Sequence, residues 1–484
     1  MPTSKFIGRQ HELKALRALT NKRTASLVII KGRRRIGKSQ LSKEFGKKYR
    51  FLNFAGLPPG PDITAQDERD EFSRQLSLNT GLPEGRYDDW GKLFHLLAMQ
   101  TTKGRTVILL DEISWMGSKD PLFLGKLKNT WDLEFKNNTE LILILCSSVS
   151  LWIDENILSS AGFMGRLSLD LTLEELPLQD ACHLLQAQGG HFDAHETFKI
   201  LSVTGGVPRY LEEIQASLSA DENIRRLCFE KSGILFREFN DIFHDLFTTK
   251  SQYYKKIVEL LIDEHLDFTE ICQRLHVQKS GFWSDYLEEL MKAGFLKRYY
   301  SWNLISEKTS RLSYFHLSDN YLRFYLKTIE PNRSAIESRL FENKTMSSLP
   351  GWDSLMGLQF ENLILNNAPA IWKALDLLSQ DILAHGPYFQ KKTQRQKGAQ
   401  IDYLIKTRHN TFIACEIKFS RKKITSGVID IMKEKLSAIK LPSGHAFWPA
   451  LIYVNGVTEQ LKEKRYFTHL IDFSALVSES DKMV

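Results

Sequence analysis

Three short stretches carry residue types that can do chemistry. Gly32 to Ser39 reads GRRRIGKS, directly behind the apolar run Ser26 to Ile30 and ahead of a helical segment, Gln40 to Tyr49. A strand that ends in Gly-x-x-x-x-Gly-Lys-Ser and re-enters as a helix is a phosphate cradle. Its glycines let the backbone turn several N–H groups inward, Lys38 can reach the β- and γ-phosphates, and the Ser39 hydroxyl can ligate Mg²⁺. The residues read as lining the cradle are Gly32, Arg33, Arg34, Arg35, Ile36, Gly37, Lys38, Ser39 and Gln40. The second stretch is Asp111-Glu112, at the end of the apolar run Thr106 to Leu110. Asp111 is placed to hold Mg²⁺ through water and Glu112 to orient or deprotonate an attacking water. The third is Asp402, Glu416 and Lys418 on two alternating runs, 400 to 405 and 411 to 418, flanking a turn at Arg408-His-Asn410. If that hairpin is centred on His409, Asp402 faces Glu416, and Lys418 shares the face of Glu416. Carboxylates directly opposite one another repel unless a cation lies between them, and a divalent metal answers that need, with Lys418 free to orient a water or stabilise charge on phosphorus. A mixed-charge hairpin edge would also yield Glu-x-Lys.

The elements that must position these groups follow from the hydrophobic pattern. Fully apolar runs at 107 to 110 and 141 to 146 read as central parallel strands with helices on both faces, so that the cradle and the acidic pair share the carboxyl edge of one sheet. The second run ends in Ser147-Ser148, small hydroxyls available to sense a γ-phosphate. Gly165-Arg166 precedes another strand-like stretch. Arg166 is either an arginine acting on charge across a subunit interface or a solvated loop residue. Gly205-Gly-Val-Pro-Arg-Tyr210 interrupts a helical region (174 to 201 and 211 to 218). It can put Pro208 against a base and Arg209 towards phosphate, or simply make a tight turn.

FIGRQHEL, GRRRIGKS, VILLDEISWM, the Gly-Arg pair and GGVPRYL, in this order, resemble the archaeal-type ATPase family of the AAA-related P-loop NTPases over about the first half of the chain. The resemblance implies ATP binding and hydrolysis, ATP and Mg²⁺ as cofactors, a helical lid after the sheet, and functional positions at Gly32, Gly37, Lys38, Ser39, Asp111 and Glu112. Arg166 and Arg209 correspond to it loosely.

Residues 253 to 317 read as three short helices and a β-ribbon, the outline of a winged helix, with Thr269 capping the second helix. Its third helix is acidic (Asp285, Glu288, Glu289), a poor surface for phosphate, so Lys279, Lys297 and Arg298 are the better candidates for DNA contact; packing or protein docking is the other reading. Further on, D-x13-E-x-K behind a helical Glu361 resembles the PD-(D/E)XK nuclease superfamily, and the segment from about Tyr321 resembles the nuclease-related C-terminal domain that accompanies these ATPases. The resemblance implies metal ligation by Glu361, Asp402 and Glu416 and catalysis by Asp402, Glu416 and Lys418. Gln400-Ile401 stands where the superfamily has a proline before the first aspartate. Lys391, Lys392, Arg395, Lys397 and Arg421 to Lys423 offer a basic rim or solvated loops.

The expected architecture is therefore α/β throughout: a P-loop NTPase parallel sheet (1–172), a helical lid (173–245), a winged-helix domain (246–318) and an α/β PD-(D/E)XK-like domain (319–484). Composition agrees, since 484 residues exceed one ordinary core, and 42% apolar with 25% charged residues is that of a globular chain. A net charge of +7 permits an anionic partner such as DNA without demanding one. The 5 cysteines form no C-x-x-C pair, which argues against a disulfide framework or zinc site. MPTSK has no signal-peptide pattern, so a cytoplasmic setting without membrane contact is expected. The function implied is an ATPase that binds DNA and controls a metal-dependent nuclease-like domain, with a homo-oligomer through Arg166. The alternative is a nucleotide-dependent DNA- or protein-binding regulator whose nuclease fold is inactive.

Overall fold

The computed structural model describes residues 6–478 apart from 59, 61, 149, 248–250, 305–308, 342–344, 393 and 395. The basic residue Arg395 thus lies outside the described residues. The chain forms two compact units, 1–175 and 176–484.

The first unit is built on β1 (Ser26–Lys31), β2 (Arg50–Ala55), β3 (Thr106–Asp111), β4 (Ile142–Ser147) and β5 (Leu167–Thr172), a five-stranded sheet in the order β2-β3-β4-β1-β5. Every pairing is parallel. The apolar runs divide by parity. Leu27, Ile29, Ile108, Leu110, Leu143 and Leu145 enter the core on one face, while Val28, Ile30, Val107, Leu109, Ile142 and Ile144 enter the core on the other. Two buried faces require two apolar sets, which is why these strands are continuous rather than alternating runs. The helix Gln10–Leu19 caps one face through Leu13, Leu16 and Leu19, beside Leu41 and Phe45 of the helix Lys38–Gly46. The other face carries an aromatic cluster in which Phe54 stacks on Phe72 at 4.5 Å and Trp90 meets Phe123 edge-on at 4.8 Å.

In the second unit, a three-stranded antiparallel sheet joins β6 (Leu266–Asp267), β7 (Leu296–Trp302) and β8 (Thr309–Leu317) in the order β6-β8-β7. The helices Ser251–Leu260, Phe268–Arg274 and Gly281–Lys292 precede or interleave with its strands. The cap of the second of these helices is Asp267, not Thr269: Asp267 Oδ1 accepts from the Glu270 amide (2.9 Å) and Glu270 Oε2 accepts from the Asp267 amide (2.8 Å), a reciprocal capping box. A mixed five-stranded sheet follows, β9 (Ile382–Gln390), β10 (Ala399–Thr407), β11 (Thr411–Lys418), β12 (Ala446–Tyr453) and β13 (His469–Asp472), in the order β13-β12-β11-β10-β9. β9, β10 and β11 pair antiparallel, and β11, β12 and β13 pair parallel. The helices Trp352–Asn366 and Gly427–Ser437 cover its two faces, with Phe360 packed beside Tyr403 and Cys415, and Met432 beside Leu404 and Ala414. The segments read as 173–245, 246–318 and 319–484 contribute to one continuous core from Leu176 to Leu476. The stretch 211 to 218 is helical only in its first residue, at the end of Pro208–Leu211. No helix among the described residues is long and apolar enough to cross a membrane.

Candidate functional site

The loop between β1 and the helix Lys38–Gly46 is held in a shape that only its own residues permit. Gly32 has φ +145°, and a Cβ there would lie 2.4 Å from the Leu173 carbonyl oxygen; Gly37, the helix N-cap, has φ +93°. Arg35 adopts the left-handed region without being glycine (φ 67°), a strained state kept where the surroundings over-determine it. Ile36 anchors the loop in the core, and the buried Arg33 reaches Glu175 Oε1 at 3.3 Å. Gln40 is exposed on the first turn of the helix.

Within this loop the Lys38 ammonium donates to the carbonyls of Gly32 and Arg33, both at 3.0 Å. Burial pushes its pKa down, opposed by the charges of Glu112, Cys146 and Asp111. β3 and β1 both flank β4, so the acidic pair comes to the same sheet edge as the cradle. Asp111 Oδ1 is buried and has no hydrogen-bond partner among the described residues, an acceptor that suits a metal-bound water. Glu112 is turned by a left-handed backbone (φ 50°), and its Oε2 accepts from both the amide (2.9 Å) and the hydroxyl (2.8 Å) of Ser148. Ser147 instead donates to Ser114 Oγ at 2.9 Å. Arg9 stands within the motif FIGRQHEL, which gives it no role on sequence alone. Buried at 6% exposure, it donates to Ile36 O at 3.1 Å and Glu174 O at 2.5 Å, and so ties the chain start to the cradle and to the end of the sheet. An arginine just ahead of a P-loop strand was the only sign of it.

Arg166 makes a bidentate pair with Asp132, Nε to Oδ1 at 2.9 Å and Nη2 to Oδ2 at 2.8 Å, holding that carboxyl well below the usual range. Pro208 and Arg209 belong to the second unit. Pro208 takes the first position of its helix, and Arg209 pairs with Glu212 (3.6 Å) and Glu213 (2.6 Å). The Gly-Gly of this turn has a packing reason: a Cβ on Gly206 would lie 2.2 Å from the Leu176 carbonyl oxygen.

The hairpin of the second unit is centred on His409 as its sequence pattern implies, with Tyr403 opposite Cys415 and Lys406 opposite Phe412. A register shift between Ile401 and Leu404 against β9 accompanies the first acidic residue. The Ile417 amide donates to Asp402 Oδ2 at 2.9 Å. Lys418 Nζ stands 2.9 Å from Oε1 of the fully buried Glu416. The cation between the two carboxylates is one that sequence reading missed: Lys435 Nζ lies 3.2 Å from Asp402 Oδ1 and 2.6 Å from Glu416 Oε2. Lys435 follows Val428 and Met432 at helical spacing on the core-facing stripe of its helix. A lysine at such a position was the available signal. Glu361 approaches from the other helix. Burial and the Asp402 charge push its pKa up to about 7, and its Oε1 is buried without a hydrogen-bond partner among the described residues. Among the described residues no three His, Cys, Asp or Glu side chains are grouped as a metal site.

The cations offered to DNA are partly spoken for. Lys297 donates to Asn366 Oδ1 (2.7 Å), Arg298 donates to Ser313 Oγ (2.7 Å) and lies over the Tyr300 and Phe315 rings, and Lys391 bridges Asp267 (2.7 Å) and Glu270 (3.2 Å). Arg421 pairs with Asp353 at 2.5 Å. Lys279, Lys392, Lys397, Lys422 and Lys423 are exposed.

Residues 6–214 match the model of a family described as an ATPase domain predominantly from Archaea. An uncharacterized protein of Methanocaldococcus jannaschii is 25% identical over 367 residues, covering 74% of this chain and 76% of its own. Among solved structures, the Walker-type ATPase PABY2304 of Pyrococcus abyssi aligns with a TM-score of 0.52 at 15% identity, over 67% of this chain and 98% of that one. At that identity the likeness speaks for the fold. The Aeropyrum pernix ORC2 protein aligns at 0.44 and 16% identity, over 69% and 96%. The cradle around Lys38 and the acids at the end of β3 both fall within residues 6–214, the part of the chain that matches the model of the predominantly archaeal ATPase domain.

Proposed function

We propose that the chain binds and hydrolyses ATP at the β1 loop and uses that turnover to control the acidic centre of its C-terminal part, acting on DNA. The observation that carries the first step is Glu112 fixed by Ser148 at the sheet edge that also bears Lys38. The loop amides and the Lys38 ammonium receive the triphosphate. Ser39 and Asp111 would hold Mg²⁺, which neutralises charge across the β- and γ-phosphates. Ser148 occupies one oxygen of Glu112 and leaves the other to orient the attacking water and take its proton. Lys38→Ala is expected to abolish ATP hydrolysis, and unchanged turnover would end this reading.

For the second centre, two carboxylates on paired strands with Lys418 and a nearby Glu361 suit phosphodiester chemistry with a divalent cation held by Asp402 and Glu416. The exposed Lys392, Lys397, Lys422 and Lys423 supply a phosphate-binding rim. Divalent-dependent DNA cleavage should vanish in Asp402→Ala and Lys418→Ala while ATP hydrolysis persists. Cleavage surviving both substitutions removes the nuclease assignment. The second reading, a nucleotide-dependent regulator with an inactive nuclease fold, is favoured by one observation: Lys435 already bridges both carboxylates. A chain that shifts DNA in an ATP-dependent way but cuts none would decide for it.

A further inference from the structure

The geometry points to Lys435 as a gate on the acidic centre. Its ammonium fills the cation position between Asp402 and Glu416, and a divalent ion enters only when that ammonium leaves. The inference rests on the reading of this centre as a metal site and deepens it.

Three of the four carboxylate oxygens of the pair accept a hydrogen bond, and the fourth, Glu416 Oε1, has the Lys418 charge beside it without one. Asp402 gives Oδ1 to Lys435 (3.2 Å) and Oδ2 to the Ile417 amide (2.9 Å). Glu416 gives Oε2 to Lys435 (2.6 Å), and its Oε1 is 2.9 Å from Lys418 Nζ. Two negative charges are thus met by two positive ones without any ion, in a setting where Glu416 is 0% exposed and an unpaired charge would be costly. The two lysines are not equivalent. Lys418 lies two residues from Glu416 on its own strand and touches one oxygen, whereas Lys435 comes from the helix Gly427–Ser437 across the sheet face and bridges both carboxylates. Lys435 alone therefore occupies the space a bridging divalent cation needs.

It can also leave. The Lys435 side chain is 22% exposed, unlike Glu416 beneath it, so the ammonium has a path to water on a flexible four-carbon stem. An arriving phosphodiester would draw the ammonium outward and free Asp402 Oδ1 and Glu416 Oε2 together. Such an arrangement keeps the centre closed to metal until anionic substrate is present.

The test uses the full chain without nucleotide and Mn²⁺ alone as the probe, with bound and free Mn²⁺ counted by electron paramagnetic resonance. Lys435→Gln is expected to bind Mn²⁺ at least about tenfold more tightly than the wild type, a difference of about 1.4 kcal/mol, at a site lost in Asp402→Asn/Lys435→Gln. Lys435→Arg, which keeps the charge, should bind no more tightly than wild type. Equal affinity of Lys435→Gln and wild type at an Asp402-dependent site would overturn the gate while leaving the metal reading intact. No Asp402-dependent Mn²⁺ in any variant would overturn both. If Lys435→Gln is too unstable to titrate, its thermal midpoint replaces the affinity: Mn²⁺ must raise it more than it raises that of wild type, and an equal or absent rise sinks the gate.

Discussion

Ser148 spends both its donors on one oxygen of Glu112, the amide at 2.9 Å and the hydroxyl at 2.8 Å. The serine follows β4 and the glutamate follows β3, so a tie between the ends of neighbouring strands sets the direction of the carboxylate. A hydrogen bond to a charged group contributes about 1.5–3 kcal/mol. Ser148→Ala removes the hydroxyl half and keeps the amide half. Turnover of ATP should fall roughly tenfold while nucleotide affinity stays within about twofold, because the substitution disturbs a water-orienting group rather than the cradle. Equal loss of affinity and rate would place Ser148 in nucleotide binding instead.

Glu68 gives a pH signature. It is 3% exposed, accepts from the Leu57 amide at 3.2 Å, and burial pushes its pKa from 4.5 up to about 7, with the Glu71 and Asp67 charges adding to the rise. Between those values the folded protein keeps a proton that the unfolded chain has released. The unfolded state therefore binds fewer protons, and stability falls as pH rises from 4.5 to about 7. Glu68→Gln should raise the thermal midpoint at about pH 8 and change little at about pH 4.5. Melting curves that shift in parallel across the range would refute this assignment.

Arg166 offers its guanidinium fork to Asp132, whose carboxylate also meets Lys128 at 3.0 Å. The expected effect of Arg166→Ala is a small fall in thermal midpoint, matched by Asp132→Ala and not additive with it, with ATP turnover unchanged. A fall in turnover at unchanged ATP affinity, growing as the protein is diluted, would instead assign Arg166 to a site on a neighbouring copy.

What could be read in advance was whatever the backbone dictates locally. GRRRIGKS demands its glycines, continuous apolar runs demand a sheet buried on both faces, and a hairpin centred on His409 fixes which residues share a face. A hydroxyl suits a helix cap, which is what singles out Thr269 in the sequence, but Asp267 with Glu270 three residues on satisfies two amides at once and wins. Sequence shows the charges of Lys297, Arg298 and Lys391 without their partners, which in the fold are Asn366, Ser313 and Asp267. Lys435 is hidden for the same reason: its two partner carboxylates stand 33 and 19 positions away in the chain.

Arg323 tests how the second unit is held together. It is 1% exposed and donates to Ile262 O (2.9 Å), Leu317 O (2.5 Å) and Gln359 Oε1 (3.2 Å), so one guanidinium joins the chain around β6 to β8 to the helix that carries Glu361. Gln359 passes the link on by donating to Ser202 O (2.6 Å) and Asn320 O (2.7 Å). Burial pushes the Arg323 pKa down to about 10, still far above neutrality, so the charge persists in the core with Glu361 and Asp319 as its opposing charges. Arg323→Met matches the volume but strands two carbonyls and one amide oxygen, each costing about 1–3 kcal/mol when buried and unpaired. A loss of roughly 3 kcal/mol or more in denaturant unfolding should result. Faster hydrogen exchange is expected in 313–323 and 352–366, with no comparable change in the β1 to β5 sheet. Protection lost evenly over the whole chain would mean that Arg323 supports global stability and not this particular junction.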